Sequence, residues 1–337
     1  MAATVRACSK RVFSRSSGHT AQRSRSLLPS IATTMWASWL SKESTKAIVR
    51  LQPAWSLDTG AYESLKPWVH AENLRALDAV RFSQPAIHAD QQYLDVGCGS
   101  GSFTKEALLP RVRPECRRIV AVDRCKKVLH DARENFSDEH IVYDTMDIEN
   151  HDPGSLTERY GAFDRVYSFL TFHYVADITK AYGNVCKLLK QGGECLVLSV
   201  VKADAIDVWN EVYQMEEWNA LIINPASLFQ GMVHSDSAIR SAEQLEAHTR
   251  ESISTAGLHC LTYYRYNSRW VFRRMEDYVD AFMSSFKAHN GVPPEKQSTL
   301  RDVWIDLLQK KTHVGLGREF PVTYTFSIVH AQKPYYS

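Results

Sequence analysis

The sequence predicts an α/β fold, a mostly parallel sheet with helices on both faces, and three observations carry that expectation. Strand-length apolar runs alternate with helix-length amphipathic stretches from about residue 91 to residue 201. A glycine-rich turn joins the first of those strands to the first of those helices. A chain of 337 residues with 44% hydrophobic content can bury a large core. Strands separated by helices of this length form right-handed βαβ units, which makes the sheet parallel.

The elements follow in order. GAYESLKPWVHAENLRALDAVRF (60–82) spaces its apolar residues as a helix does and predicts one ahead of the first strand, closed by Pro85. Strand Tyr93–Val96 leads to helix Ser102–Leu109, Arg118–Val122 to helix Lys126–Asn135, and Ile141–Tyr143 forms a third strand. Arg165–Leu170, helix Ile178–Leu189 and, after the turn Lys190–Gly193, strand Cys195–Val201 extend the pattern. The alternation then breaks at IDVWNEVYQMEEWNALI (206–222), an aromatic-rich helical stretch read as an insertion. A capping box, Ser241 with Gln244, opens a helix over 241–258 that ends at Gly257 and leads into strand HCLTYYRY. Helices over 274–288 and 294–310 precede a terminal strand over 322–331. The domain expectation is an extension over 1–42 and one domain over 43–337, with 203–240 as a lid insertion.

Charge divides the chain at the same place. Residues 1–42 carry Arg6, Lys10, Arg11, Arg15, Arg23, Arg25 and Lys42 and no acid, leaving 33 basic against 38 acidic residues elsewhere. The Arg- and Ser-rich segment reads as a mitochondrial transit peptide, as a disordered basic tail, or as an upstream extension with the working start at Met35. The expected location is cytoplasmic, or the mitochondrial matrix if the segment directs import. A mildly acidic body does not track phosphates, so no nucleic-acid partner is expected. No apolar run is long enough to span a membrane. Seven cysteines without a C-x-x-C pair, and thirteen histidines without ligand spacing, predict neither a disulfide framework nor a metal site.

QQYLDVGCGSGSFTKEALLP (91–110) carries the chemistry. Gly97, Gly99 and Gly101 sit between a strand and a helix, where missing side chains admit a ligand to the backbone. The dinucleotide fingerprint needs glycine at Ser102, and a phosphate loop needs a GK[ST] that is absent, which argues against NAD and ATP. Asp95 would repel a pyrophosphate but hold an ammonium group, and S-adenosylmethionine (SAM) has one. D-x-G-x-G-x-G resembles the first motif of class I methyltransferases, whose acid contacts the methionine amino group. Asp123, ending the next strand, can accept both ribose hydroxyls. Met146 and Asp147 in YDTMDI match the positions that the family places on the adenine, and Ser168 is assigned to the cofactor as well.

The region 60–335 resembles the juvenile hormone acid O-methyltransferase family of arthropods. FHYVADITKAYGNVCKLLKQGGECLVLSVV resembles the family's stretch after its fourth strand, and AYESLKPWVHAENLRAL its opening helix with an early tyrosine, here Tyr62. The resemblance implies a seven-stranded Rossmann-like sheet with a helical substrate lid, SAM as cofactor, and methylation of a lipophilic, isoprenoid-like carboxylic acid. It places His173 and Tyr174 toward the transferred methyl as catalytic donors. Tyr174 stands where the family has a tryptophan, and the family's glutamine falls near Val69 or His70. Tyr62, His70, Trp209 and Trp218 are the expected substrate contacts, with Tyr213 and Met215 beside the two tryptophans. Two alternatives stay open: a methyltransferase for a phenol, amine or carbon nucleophile in cofactor or quinone metabolism, and a SAM-binding accessory protein without turnover. Oligomeric state is not legible.

Overall fold

The computed structural model describes residues 58–82, 90–113, 116–233, 239–312 and 319–335. The basic extension 1–42, Met35 and Pro85 lie outside the described residues. Seven strands, β1 Gln91–Val96, β2 Cys116–Asp123, β3 Ile141–Thr145, β4 Phe163–Phe169, β5 Leu189–Ala203, β6 His259–Phe272 and β7 Phe320–Gln332, form one sheet. Their spatial order is β3-β2-β1-β4-β5-β7-β6. The first five pair in parallel, while β7 runs antiparallel between β5 and β6. The expected seven-stranded, mostly parallel sheet is the one found.

Each face of the sheet carries its own core. Tyr93, Ile119, Ala121, Tyr167, Phe169, Leu196 and Leu198 point to one side. That side is covered by α2 Lys66–Ala79, by the helix after β1 (a π-turn over Thr104–Leu108, then α3 Leu109–Val112) and by α4 Lys126–Asn135. It is completed by α7 Asp204–Tyr213, α10 Met275–Ser285 and α11 Pro294–Thr312. Leu94, Val96, Val120, Val122, Val166 and Val197 point to the other side, under α5 Gly154–Tyr160, α6 Ile178–Leu188 and α9 Ala242–Thr255. The period-two alternation of a strand produces this division.

Several boundaries differ from the sequence reading for physical reasons. The opening helix breaks at Ser64–Leu65, because Pro67 supplies no N–H, into α1 Thr59–Glu63 and α2. Helix α5, seven residues between Pro153 and Gly161 with Leu156 as its buried residue, was too short to leave a periodic signal. Strand β6 runs on to Phe272 by burying Tyr266, Ser268, Trp270 and Phe272 alternately. The insertion supplies α7 and the one-turn α8 Pro225–Leu228, and Trp209 packs in an aromatic cluster with Phe282 and Trp304, each 5.9 Å away between ring centroids.

Helix α2 is fixed to the sheet by a buried acid. Glu72 is 3% exposed and accepts hydrogen bonds from Tyr266 Oη (2.8 Å), Ser268 Oγ and Trp270 Nε1 (3.3 Å), all on β6. A buried carboxylate persists only with such donors. Glu72→Ala should therefore cost about 2–3 kcal/mol in denaturant unfolding, by stranding the donors. An unchanged unfolding midpoint would show that α2 does not depend on this anchor.

Candidate active site

Strand order reverses between β1 and β4, and the main cavity, of about 160 Å³, opens there at the C-terminal ends of β1, β2 and β4. Crevices at such reversals are where open α/β sheets bind ligands. The glycine turn forms the floor. Gly97, Gly99 and Gly101 all have positive φ, 77°, 55° and 79°. A Cβ on Gly97 would collide with the Thr171 side chain, so this glycine lets the β4 connection pack down. A Cβ on Gly99 would meet no atom within 4 Å, which leaves its backbone open to a ligand. Gly97 and Cys98 donate their N–H groups to the Val122 carbonyl at 2.7 and 3.0 Å, tying the turn to β2.

Two acids stand at the ends of adjacent strands. Asp95 is 2% exposed and accepts from Thr104 Oγ1 at 2.6 Å. Burial pushes its carboxyl up to about 7, with the Thr104 bond opposing and the Asp123 charge adding to the rise. Asp123 accepts from Cys125 N (2.8 Å) and Gly99 N (3.2 Å), one on each oxygen. Burial raises its pKa too, against those two donors. A half-buried acid with two oxygens at the cavity edge suits a pair of hydroxyls, and one that resists ionisation alone suits a cation.

Farther along the wall come Cys125, Val128, Met146, Asp147 and Ile148. Met146 is buried and offers an apolar face. Burial works to raise the pKa of Asp147, but hydrogen bonds from Asn150 and Glu149 prevail and hold it below the ordinary carboxylate range. The opposite wall comes from α1 and α2: Tyr62, Val69, His70 and Asn73. His70 Nε2 lies 3.3 Å from Ser102 Oγ, and its ring meets Phe103 edge-on at 5.2 Å. Burial, with Lys66 nearby, lowers the His70 pKa and keeps the ring neutral. Leu170, a non-glycine residue at φ 56°, turns the chain after β4 and brings Tyr174 into the wall.

The cavity thus gathers Tyr62, His70, Asp95, Gly97, Gly99, Asp123, Met146, Asp147 and Tyr174 of the sequence-predicted residues. It does not gather all of them. Ser168 is fully buried beneath β1, donating to the Val96 carbonyl at 3.0 Å, so it props the strand end rather than lining the cavity. His173 turns away on a one-turn 3₁₀ segment, Phe172–Tyr174, into a separate small cavity beside β5. Its Nδ1 accepts from Val200 N at 3.4 Å, and burial pulls its pKa down to about 3. Trp209 and Trp218 are buried in the helical core, and Trp209 Nε1 donates to the Ile223 carbonyl at 2.9 Å. No described residue of 203–240 lines the cavity; its cover is α1–α2 instead. Phe229 of the insertion stacks on Tyr174 from behind at 5.6 Å. Among the described residues no cluster of His, Cys, Asp or Glu could hold a metal ion.

Residues 87–252 match the family model of the methyltransferase domain, from β1 through most of α9, which takes in the glycine turn, both acids and the wall with Met146 and Asp147. These residues form a SAM-dependent methyltransferase domain. This methyltransferase is 21% identical over 242 residues to the juvenile hormone acid O-methyltransferase of Bombyx mori, an alignment covering 70% of this chain and 82% of that one. The Drosophila melanogaster protein of the same name is 29% identical over 132 residues, 38% of this chain and 43% of its own. A solved Bacillus halodurans C-125 protein assigned as a methyltransferase aligns with a TM-score of 0.49 at 17% identity, covering 78% of this chain and 99% of that one.

The residues present fit SAM: an acid that ionises more readily beside an ammonium, a two-oxygen acceptor one strand away, an apolar surface at Met146, and an open backbone at Gly99. The sign of the pH dependence follows. Asp95 must be ionised to pair with a cation, and its pKa of about 7 in the free protein means that binding releases a proton at lower pH. Calorimetric titration with S-adenosylhomocysteine should show affinity rising with pH through about 7 and then levelling. Asp95→Asn should bind more weakly and lose that dependence. Asp123→Ala should cost about tenfold or more in affinity without unfolding the protein. Wild-type affinity in both variants would remove the two acids from the cofactor site.

Proposed function

We propose that this methyltransferase esterifies the carboxylate of a small lipophilic acid. The observation that carries the reading is the pairing of two phenols, Tyr62 from α1 and Tyr174 after β4, in one cavity wall. Burial raises both pKa values, with Glu63 adding to the rise at Tyr62 and Tyr324 to the rise at Tyr174. Tyr174 is disfavoured further by Tyr62 itself, which places the two rings within electrostatic reach. Two protonated phenols are donors, and a carboxylate accepts from two donors at once. Val69, Phe103, Phe169, Leu170 and Val175 give the same wall an apolar lining for the rest of such an acid. The relatives named for an acid O-methyltransferase activity support the same class of substrate.

SAM, when bound, supplies an electrophilic methyl group. The protein's own residues need only place the nucleophile. A carboxylic acid with an ordinary pKa of ~4–5 is already ionised at neutral pH, so no group has to remove a proton. Tyr62 and Tyr174 would orient the carboxylate oxygens, α1–α2 would exclude water, and Phe229 would hold Tyr174 in position from behind. Asp58, capping α1 through Ala61 N at 3.1 Å and donating its own N–H to the Ser285 carbonyl at 3.0 Å, keeps Tyr62 on this wall. His173 enters this account as a buried support for β5 and not as a donor.

Tyr174→Phe and Tyr62→Phe should each raise KM and lower kcat, by about tenfold to a hundredfold in kcat/KM, with the fold intact. With both substrates saturating, kcat should stay flat from about pH 6.5 to 9. Neutral His70 gives the alternative its specific prediction. A rate that climbs with pH and disappears in His70→Ala would mark a general base and a phenol or amine substrate. Binding of S-adenosylhomocysteine without turnover of any lipophilic acid, phenol or amine would mark an accessory protein.

A further inference from the structure

Asn73 lies on the buried face of α2, one turn beyond Val69 and His70. It is 4% exposed, lines the main cavity, and its Oδ1 is a buried oxygen with no hydrogen-bond partner. The surrounding faces are apolar: Val69 and Ala76 on its own helix, Phe103 and Phe169 across the cavity. An amide stranded in such surroundings costs stability that leucine or alanine would not, because its carbonyl has given up water without replacement. Glu72, its neighbour in sequence, shows the contrast, since three donors from β6 satisfy it.

Asn73 and Asp95 line the same cavity. His70, three residues earlier on α2, is hydrogen-bonded to Ser102, and Ser102 and Phe103 begin the helix whose Thr104 holds Asp95. Asp95 offers an incoming ammonium one oxygen already committed to Thr104 Oγ1 and one that is not. An ammonium brings three N–H donors, more than that acid can take alone.

We infer that Asn73 is a cofactor-binding residue whose side-chain carbonyl accepts a hydrogen bond from the ammonium group of SAM, alongside Asp95. The inference rests on SAM as the ligand of this cavity and assigns α2 a direct part in holding it. The opening helix then both walls the acceptor pocket through Tyr62's neighbouring segment and reads the amino-acid end of the cofactor.

Three probes separate the contacts by calorimetric titration of the full chain: S-adenosylhomocysteine, its decarboxylated analogue, which keeps the amine, and its deamino analogue, which keeps the carboxylate. Asn73→Leu should weaken the first two by about tenfold to a hundredfold and leave affinity for the deamino analogue nearly unchanged. Asn73→Ala carries the same comparison should the bulk of leucine disturb folding, and circular dichroism reports the fold of each. An equal loss for all three probes, or none, would make Asn73 a packing residue and overturn the inference. A loss confined to the two probes that keep the carboxylate would overturn it as well, by showing the amide N–H on that group. Failure of the wild-type protein to bind S-adenosylhomocysteine would instead bring down the cofactor assignment beneath it.

Discussion

Two carboxylates at the ends of neighbouring parallel strands, Asp95 buried and Asp123 half-buried, are the constraint around which the rest of this structure is arranged. Asp95 and Asp123 end β1 and β2, and burial makes both reluctant to ionise, each with a compensating donor: Thr104 for one, the Gly99 and Cys125 amides for the other. Keeping them there in the absence of a cation is costly. The glycine turn is shaped to that end, since its N–H groups cross to the Val122 carbonyl and to Asp123 and draw the two strand ends together.

Everything above the acids follows from how the cavity is walled. β4 contributes through Thr171, which packs into the space left by Gly97, and through Leu170, held at a positive φ that costs roughly 1–2 kcal/mol for a side-chain-bearing residue. That reversal delivers Tyr174 to the site and sends His173 to the far side. The other wall, α1–α2, is not part of the repeating βα pattern and needs its own anchors: buried Glu72 on β6, the His70–Ser102 contact, and Lys66 bridging Glu63 and Glu106 at 3.4 and 2.8 Å. The last pair is partly exposed and contributes little beside the buried acid.

The parallel core was legible because its signals are local. Apolar runs, the Gly97–Gly101 spacing and an acid at each strand end survive in one dimension, and helix Lys126–Asn135 and the capping box at Ser241 stand where the sequence placed them. What failed depended on which way a side chain turns. His173 and Tyr174 are adjacent, and one 3₁₀ turn decides which faces the cavity. Trp209 and Trp218 looked like pocket residues because aromatic helices serve either purpose, and here α10 and α11 claim them for the core. Ser168 sits on the strand next to β1 but points under it. Asn73 was readable and overlooked: a polar residue four positions after Val69, on the face that α2 buries, is a local inconsistency of the kind that marks a site.

The account therefore stands on one claim, that the cavity between β1 and β4 holds SAM with its amino-acid end on Asp95 and its ribose on Asp123. A crystal structure of the protein with S-adenosylhomocysteine tests it most directly. The account predicts the ammonium against Asp95, both ribose hydroxyls on the Asp123 oxygens, and the adenine against Met146 with Asp147 at its edge. A ligand bound in the opposite direction, or bound with Asp95 and Asp123 contacting nothing of it, would contradict the claim.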